Sequence, residues 1–381
     1  MKFSFLNPTK IEFGQGQIAT IKTNIPKDSK VLVIYGGGSI KKNGVYDQVV
    51  TALAGHDWQE FSGVEPNPTA ETLDKAVAIV KDQGINFILA VGGGSVIDGA
   101  KYVAAAAKYN GDGWDILTGK HQVNDAVAIG AILTIPATGS ESNGASVVTK
   151  AATQDKLAFI SPLVFPKFAV MDPDVMKTLP QRQLANGVVD AFVHTCEQYL
   201  TFPANAMVQD AYAESLLKIL TTLASNFDKQ DDSWRENLMW AANQALNGLI
   251  GAGVAQDWAT HMIGHELTAL YGVDHARSLA IVQPSLLRNQ MSYKKAKLEQ
   301  MGRNVFGLSD GEDLAERTVQ AIEAFYHSLD VATQLTEHGS DKNAAVEAVL
   351  NQLKKHGMVK IGENQSITLE QSKAILEAAV A

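Results

Sequence analysis

Two stretches of the chain end in the same four residues, and each has the make-up of a buried strand. Lys30-Val-Leu-Val-Ile-Tyr35 runs into Gly36-Gly37-Gly38-Ser39, and Phe87-Ile-Leu-Ala-Val91 runs into Gly92-Gly93-Gly94-Ser95. Continuous aliphatic runs without polar alternation belong to strands covered on both faces, which means a parallel sheet between helices. The intervening segments agree. Val45 to Leu53 reads as a helix, and Thr69 to Gln83 carries Leu73, Ala76, Val77 and Val80 at helical spacing. A third apolar run, Val127 to Ile135, ends in Pro136-Ala-Thr-Gly-Ser-Glu141. Repeated strand-then-helix order predicts an α/β domain with a parallel, Rossmann-like, dinucleotide-binding core. Its crossovers are right-handed and its strand ends line a cleft.

Beyond about Pro180 the pattern changes. Helical periodicity occupies 183–200, 205–226, 233–250, 256–270 and 276–288, and continues through the tail from Asp310 to Ala381. At 381 residues the chain exceeds what one core usually serves. The expectation is therefore two domains: residues 1–179 as the α/β dinucleotide-binding domain, and residues 180–381 as an all-helical domain for metal and substrate.

Composition narrows the function. Apolar residues make up 46% and charged residues 19%, the balance of a folded globular chain. A net charge of -9, without a basic block, opposes binding to nucleic acid or anionic lipid. Cys196 is the single cysteine, so an intramolecular disulfide and a thiolate metal site are excluded and the cytoplasm is the expected compartment. Met1 to Thr20 has no leader pattern, and no stretch of about 18 uncharged apolar residues suits a membrane span.

The glycine turns carry the first chemical signal. Where a strand turns into a helix, Gly92-Gly-Gly-Ser-Val-Ile-Asp98 lets backbone amides approach a phosphate at the positive end of the helix. Two such triplets suggest a nucleotide, although neither has the G-x-G-x-x-G spacing. Thr138-Gly-Ser140 adds hydroxyls at the third strand end.

The second signal lies in the helical half. Asp190 and His194 stand four residues apart and so project from one helix face; His261 and His265 repeat that spacing, and His275 follows a turn. Four of the chain's nine histidines fall in these two segments. A carboxylate with several imidazoles suits Zn²⁺ or Fe²⁺ and leaves room for a substrate oxygen.

These residues resemble a known family. Leu184-Ala-Asn-Gly-Val-Val-Asp-Ala-Phe-Val-His194 and His261-Met-Ile-Gly-His-Glu-Leu-Thr-Ala-Leu-Tyr-Gly-Val-Asp-His275 look like the two signatures of the iron-containing, or group III, alcohol dehydrogenases, and the likeness covers essentially the whole chain. Within the family the chain is most similar to bacterial NADPH-dependent aldehyde reductases and butanol dehydrogenases. The resemblance implies metal ligands at Asp190, His194, His261 and His275, with His265 near the substrate as a proton relay or a positioning group. It places the cofactor against Gly37, Gly38, Ser39, Asn67, Gly93, Gly94, Ser95, Asp98, Thr138, Ser140 and Lys156. It implies a homodimer that binds one divalent metal, Fe²⁺ or Zn²⁺, and reduces small aldehydes with NADPH.

One position departs from many family members that use NAD. They carry an Asp just after the first strand, where this chain has Gly36. Without that acid, and with Ser39, Lys41 and Lys42 following, a 2′-phosphate is favoured and NADP is expected over NAD. The same position disfavours a glycerol dehydrogenase. The alternative of another class is a metal- and NAD-dependent lyase of the dehydroquinate synthase kind, which would need a basic anion pocket. Val189 to Leu200 and Asp257 to Val273 contain no Lys or Arg. A non-catalytic nucleotide-binding protein would have no reason to keep four ligands together. Leu249, Ile250, Trp258 and Leu267 are candidates either for an apolar substrate lining or for core.

Overall fold

The computed structural model describes residues 1–335 and 342–380. The chain divides into two compact units. One comprises Leu6–Pro180 with Asp231–Met239, and the other Met1–Phe5, Gln181–Gln230 and Trp240–Ala381.

In the first unit the strands are β1 (Lys10–Phe13), β2 (Lys30–Tyr35), β3 (Asp57–Phe61), β4 (Phe87–Gly92), β5 (Ala128–Leu133), β6 (Ala145–Lys150), β7 (Asp155–Ile160) and β8 (Phe168–Met171). Its helices are α1 (Ile21–Asn24), α2 (Ser39–Lys42), α3 (Val45–Ala52), α4 (Ala70–Gln83), α5 (Gly94–Ala106) and α6 (Trp114–Leu117). Six strands form one sheet in the order β1-β8-β5-β4-β2-β3, and every neighbouring pair is parallel. The predicted runs occupy its centre: Val31 to Ile34 and Ile88 to Val91 are fully buried. Thr69 caps α4 by accepting the amide hydrogen of Thr72 at 3.3 Å.

Strand order marks the end of the sheet where a ligand would bind. From β2 the chain steps outward to β3, then returns to β4 on the other side of β2 and continues to β5. The direction of winding therefore reverses between β2 and β4, and ligands of open parallel sheets bind at such a point, beyond the carboxyl ends of the strands. Tyr35 pairs with Val91 in register, so the two glycine turns leave the sheet side by side.

Several strands are not expressed as long apolar runs. β1 and β3 are sheet edges with mostly exposed or half-buried side chains. β6 and β7 form a separate antiparallel hairpin.

The second unit is built on helices: α7 (Gln181–Tyr199), α8 (Met207–Ser225), α9 (Asp232–Ala245, whose first residues group with the other unit), α10 (Ala259–Tyr271), α11 (His275–Asn289), α12 (Met291–Asn304), α13 (Leu314–Ser328), α14 (Lys342–Lys355) and α15 (Leu369–Ala379). A two-residue antiparallel ladder, β9 (Lys360–Ile361) with β10 (Ile367–Thr368), adds to them. Ile263 and Leu267 of α10 join Val349, Leu353 and Ile375 in one apolar cluster, which fixes the helix that carries two of the histidines. Among the described residues no helix is long and apolar enough to cross a membrane.

Candidate metal centre and phosphate-binding turns

From Leu184 onward α7 is buried almost all round, so the polar residues Asp190, His194 and Glu197 lie inside the unit. Spaced at four and then three residues, they share one helical face. Residues His261 and His265 sit on α10, and His275 opens α11.

These elements bring the expected ligands together. Donor atoms of Asp190, His261 and His275 all lie within 4.8 Å of one another. Around Asp190 Oδ1 stand His275 Nε2 at 3.6 Å, His194 Nδ1 at 3.6 Å and His261 Nε2 at 3.9 Å. The rings of His194 and His261 stack with centroids 4.7 Å apart. His265, half-buried, has its ring 5.1 Å from that of His275 and 6.0 Å from that of His261.

The donor set fits a divalent transition metal. It is one carboxylate and three imidazoles, mixed nitrogen and oxygen donors of the kind Zn²⁺ and Fe²⁺ accept. His194 Nδ1 is buried and makes no hydrogen bond among the described residues, a cost that a cation beside it would offset. Burial pushes the His194 imidazole down to about 4, so it is neutral with a lone pair available at pH 7.

Sequence reasoning missed the group that orients His261. Glu197 Oε2 accepts a hydrogen bond from His261 Nδ1, which turns Nε2 toward Asp190. Its other oxygen accepts the amide hydrogen of Thr260 at 2.7 Å, at the start of α10. The signal was present: Glu197 lies seven residues after Asp190, two helical turns along the same face. A second strut holds His275. The preceding Asp274 accepts from Arg182 Nε at 2.7 Å and Asn186 Nδ2 at 2.9 Å, both on α7.

Lys294 was also unforeseen. This buried lysine of α12 donates to the Leu200 carbonyl at 2.7 Å, to Asp257 Oδ2 at 2.5 Å and to both oxygens of Glu363 at 3.1 Å. Asp257 in turn caps α10 through the Ala259 amide at 2.8 Å. Its charge is therefore committed to the frame of the site. Of the apolar candidates, Trp258 stands beside the candidate ligands, its ring centre 5.3 Å from that of His261 and 6.2 Å from that of His194, whereas Leu267 belongs to the core. Ile250 is buried and Leu249 is exposed.

In the first unit the turn after β4 enters α5 with Gly93 as its cap residue, which has no side chain to cap the helix start. A Cβ on Gly94 would stand 2.5 Å from the Thr138 side chain, so only glycine permits this approach of the two turns. Gly38 adopts φ 90°, a left-handed conformation suited to glycine, and Ser39 follows it at the start of α2. Asn67, also left-handed at φ 55°, donates its amide to Ser95 Oγ at 3.3 Å, and Lys156 Nζ donates to Asn67 Oδ1 at 2.8 Å. Asn67, Ser95 and Lys156 thus form one cluster, while Gly93, Gly94, Thr138 and Ser140 form the adjoining one.

Asp98 has an inward role. One carboxylate oxygen accepts from Ser140 Oγ and the other from the Val147 amide at 3.0 Å, tying the β6–β7 hairpin to α5. Lys101, fully buried and not anticipated, donates to Ser140 Oγ at 2.8 Å, Asn143 Oδ1 at 3.0 Å and the Ala145 carbonyl at 2.7 Å. Burial brings its ammonium down to about 8, opposed by the charges of Asp98 and Glu141. Nearer the edge, Lys41 lies 3.2 Å from Glu60 Oε1 on β3, so the attraction expected of it is already shared with a carboxylate.

Known proteins place this arrangement. Residues 8–173 match the family described as iron-containing alcohol dehydrogenase, and residues 184–380 match the C-terminal domain of the same family. The chain is 52% identical to the NADPH-dependent aldehyde reductase YqhD of Escherichia coli K12, over 99% of both chains. It is 40% identical to the probable NADH-dependent butanol dehydrogenase 1 of Bacillus subtilis, again over 99% of both. A crystal structure of E. coli YqhD superposes with a TM-score of 0.97 at 50% identity, covering 99% of this chain and 98% of that one. With both halves of the family matched in order and the candidate ligands Asp190, His261 and His275 converging, the chain belongs to the iron-containing alcohol dehydrogenases.

Proposed function

We propose that the protein is a metal-dependent, NADPH-preferring aldehyde reductase and alcohol dehydrogenase acting on short-chain aldehydes and primary alcohols. The observation that carries this reading is the convergence of Asp190, His261 and His275 within 4.8 Å on buried helices, with His194 against the same carboxylate. The 52% identity to an NADPH-dependent aldehyde reductase supports the cofactor and the substrate class. Gly36, in place of an acid, supports the 2′-phosphate. Residues 1–179 are assigned to the dinucleotide and 180–381 to metal and substrate. A cytoplasmic homodimer accompanies the reading, supported by the family resemblance and the single buried Cys196.

Asp190, His194, His261 and His275 would hold the divalent ion. Bound there, Fe²⁺ or Zn²⁺ supplies Lewis-acid polarisation of an aldehyde oxygen, and NADPH supplies the hydride. The protein's own residues prepare and complete the reaction. Glu197 keeps the proton on His261 Nδ1 and so frees Nε2 for coordination. Gly93, Gly94 and Ser95 present the uncapped start of α5 to a pyrophosphate, flanked by Gly37, Gly38, Ser39, Asn67, Thr138, Ser140 and Lys156. Asp98 braces that turn from behind. His265 would hand a proton to the product oxygen, directly or through a water, the work imidazole does as a general acid. Trp258 gives the ligand cluster an aromatic flank suited to a small apolar substrate.

The test is NADPH consumption with butanal and methylglyoxal by metal-stripped enzyme reloaded with Fe²⁺ or Zn²⁺, run beside NADH and the His261→Ala variant. The reading expects activity that requires the metal, disappears in the variant and prefers NADPH. Equal activity in metal-free enzyme would sink the metal mechanism. Absence of reduction with every combination would reopen the lyase alternative.

A further inference from the structure

The missing acid at Gly36 has a counterpart one strand away. β2 ends at Tyr35, and a Cβ on Gly36 would press on the Val64 carbonyl at 3.1 Å, so the backbone leaves little room for an acidic side chain at that position. On the neighbouring strand β3, Glu60 pairs in register with Val33. Its carboxylate accepts from Tyr46 Oη at 2.7 Å and from Lys41 Nζ at 3.2 Å. The Lys41 ammonium also lies over two rings, 4.5 Å from the centre of Tyr46 and 5.2 Å from that of Tyr35. Glu60, Tyr46, Lys41 and Tyr35 are thus one connected cluster. It borders the turn Gly36–Ser39, because Tyr35 immediately precedes that turn and Lys41 lies two residues beyond it.

The two charges act in opposite senses on an adenosine ribose at the end of β2. A 2′-phosphate carries about two negative charges: it is attracted by Lys41 and repelled by Glu60, whereas a ribose 2′-hydroxyl is repelled by neither. The Tyr46 hydroxyl and Lys41 hold Glu60 in its charged form, since both hydrogen bonds favour the carboxylate. Relatives in this family divide on the same point, with an NADPH-dependent aldehyde reductase and probable NADH-dependent butanol dehydrogenases both similar along the full length.

We propose that Glu60 limits this enzyme's preference for NADPH over NADH, by offsetting the charge of Lys41 beside the turn Gly36–Ser39. The proposal rests on the NADPH reading above and concerns how strongly, not whether, the 2′-phosphate is selected.

The experiment is calorimetric binding of 2′,5′-ADP and of 5′-AMP to the full-length protein as wild type, Glu60→Gln and Lys41→Met, which needs neither metal nor turnover. The ratio of the two affinities isolates the 2′-phosphate, and 5′-AMP binding reports whether each variant keeps its nucleotide site. Glu60→Gln is expected to raise the preference for 2′,5′-ADP by roughly two- to fivefold, the scale of one exposed charge, and Lys41→Met to lower it similarly. Both effects should shrink as salt is raised. A ratio unchanged in Glu60→Gln, with 5′-AMP binding intact, overturns the proposal, and a lowered one overturns it and makes Glu60 a support for Lys41 instead. A wild type that binds both ligands equally, and a Glu60→Gln that does the same, overturns the NADPH reading along with it.

Discussion

Glu197 and His261, 64 residues apart in the chain, share a buried hydrogen bond that decides which imidazole nitrogen of His261 faces Asp190. A carboxylate behind a ligand histidine fixes its tautomer and raises its basicity. Glu197→Gln keeps the size and removes the charge. It is expected to cost about 10- to 100-fold in metal affinity with the fold retained. A chelator competition followed by metal analysis measures this, with circular dichroism as the control; unchanged metal retention would assign Glu197 to helix capping alone.

The glycine turns give a paired prediction. Gly94→Ala forces a Cβ to within 2.5 Å of Thr138, whereas a Cβ on Gly37 meets nothing within 4 Å. Overpacking of this sort costs about 1–3 kcal/mol, so Gly94→Ala should melt several degrees lower and bind NADPH poorly. Gly37→Ala should melt close to wild type. Thermal melts of the two variants decide the matter, and equal losses would mean that turn flexibility, not the contact with Thr138, is what matters.

His265 is assigned a proton, not a ligand bond. His265→Asn should therefore keep its metal while kcat for aldehyde reduction falls by roughly 10²-fold, the usual worth of a positioned general acid. The pH profile of kcat is the discriminating readout: loss of an ionisation near neutrality supports the relay, whereas a parallel drop at every pH identifies a positioning role.

The Lys294 cluster predicts a pH dependence of stability. Burial and the adjacent Asp257 push the Glu363 carboxyl up from 4.5 to about 7, against the pull of Lys294. Between those values the folded protein binds more protons at this site than the unfolded chain, so the contribution of Glu363 to stability falls as pH rises from about 4.5 through 7. Glu363→Gln removes that slope. Melting temperatures from pH 5 to 8 should fall less steeply with rising pH in the variant than in wild type; identical slopes would show that the carboxyl does not titrate there.

How much of this was legible beforehand follows from the kind of signal each element leaves. β2, β4 and β5 are buried on both faces and so appear as unbroken apolar runs, and the Asp190–His194 and His261–His265 pairs announce themselves by helical spacing. β3, Asp-Trp-Gln-Glu-Phe, is an edge whose side chains are exposed or half-buried, and its sequence contains no apolar run. Glu197 shares a face with two expected ligands, but a carboxylate on a helix is common, and only the fold brings His261 against it. Lys294 and Lys101 were invisible for the opposite reason. Burial of a lysine depends on partners such as Glu363 and Ser140 that sequence spacing does not connect to it.

The edge pairing of β1 with β8 sets a timetable for biosynthesis. Lys10 takes its place only against Phe168, so the first strand made in the parallel sheet closes with the last. At ribosomal speeds of about 5–20 residues per second, β1 waits roughly 8–30 s before its partner has even been synthesised. Throughout that interval the nascent chain carries a strand with no neighbour, and the nucleotide-binding half of the enzyme is committed to closing late, after both of its glycine turns have left the ribosome.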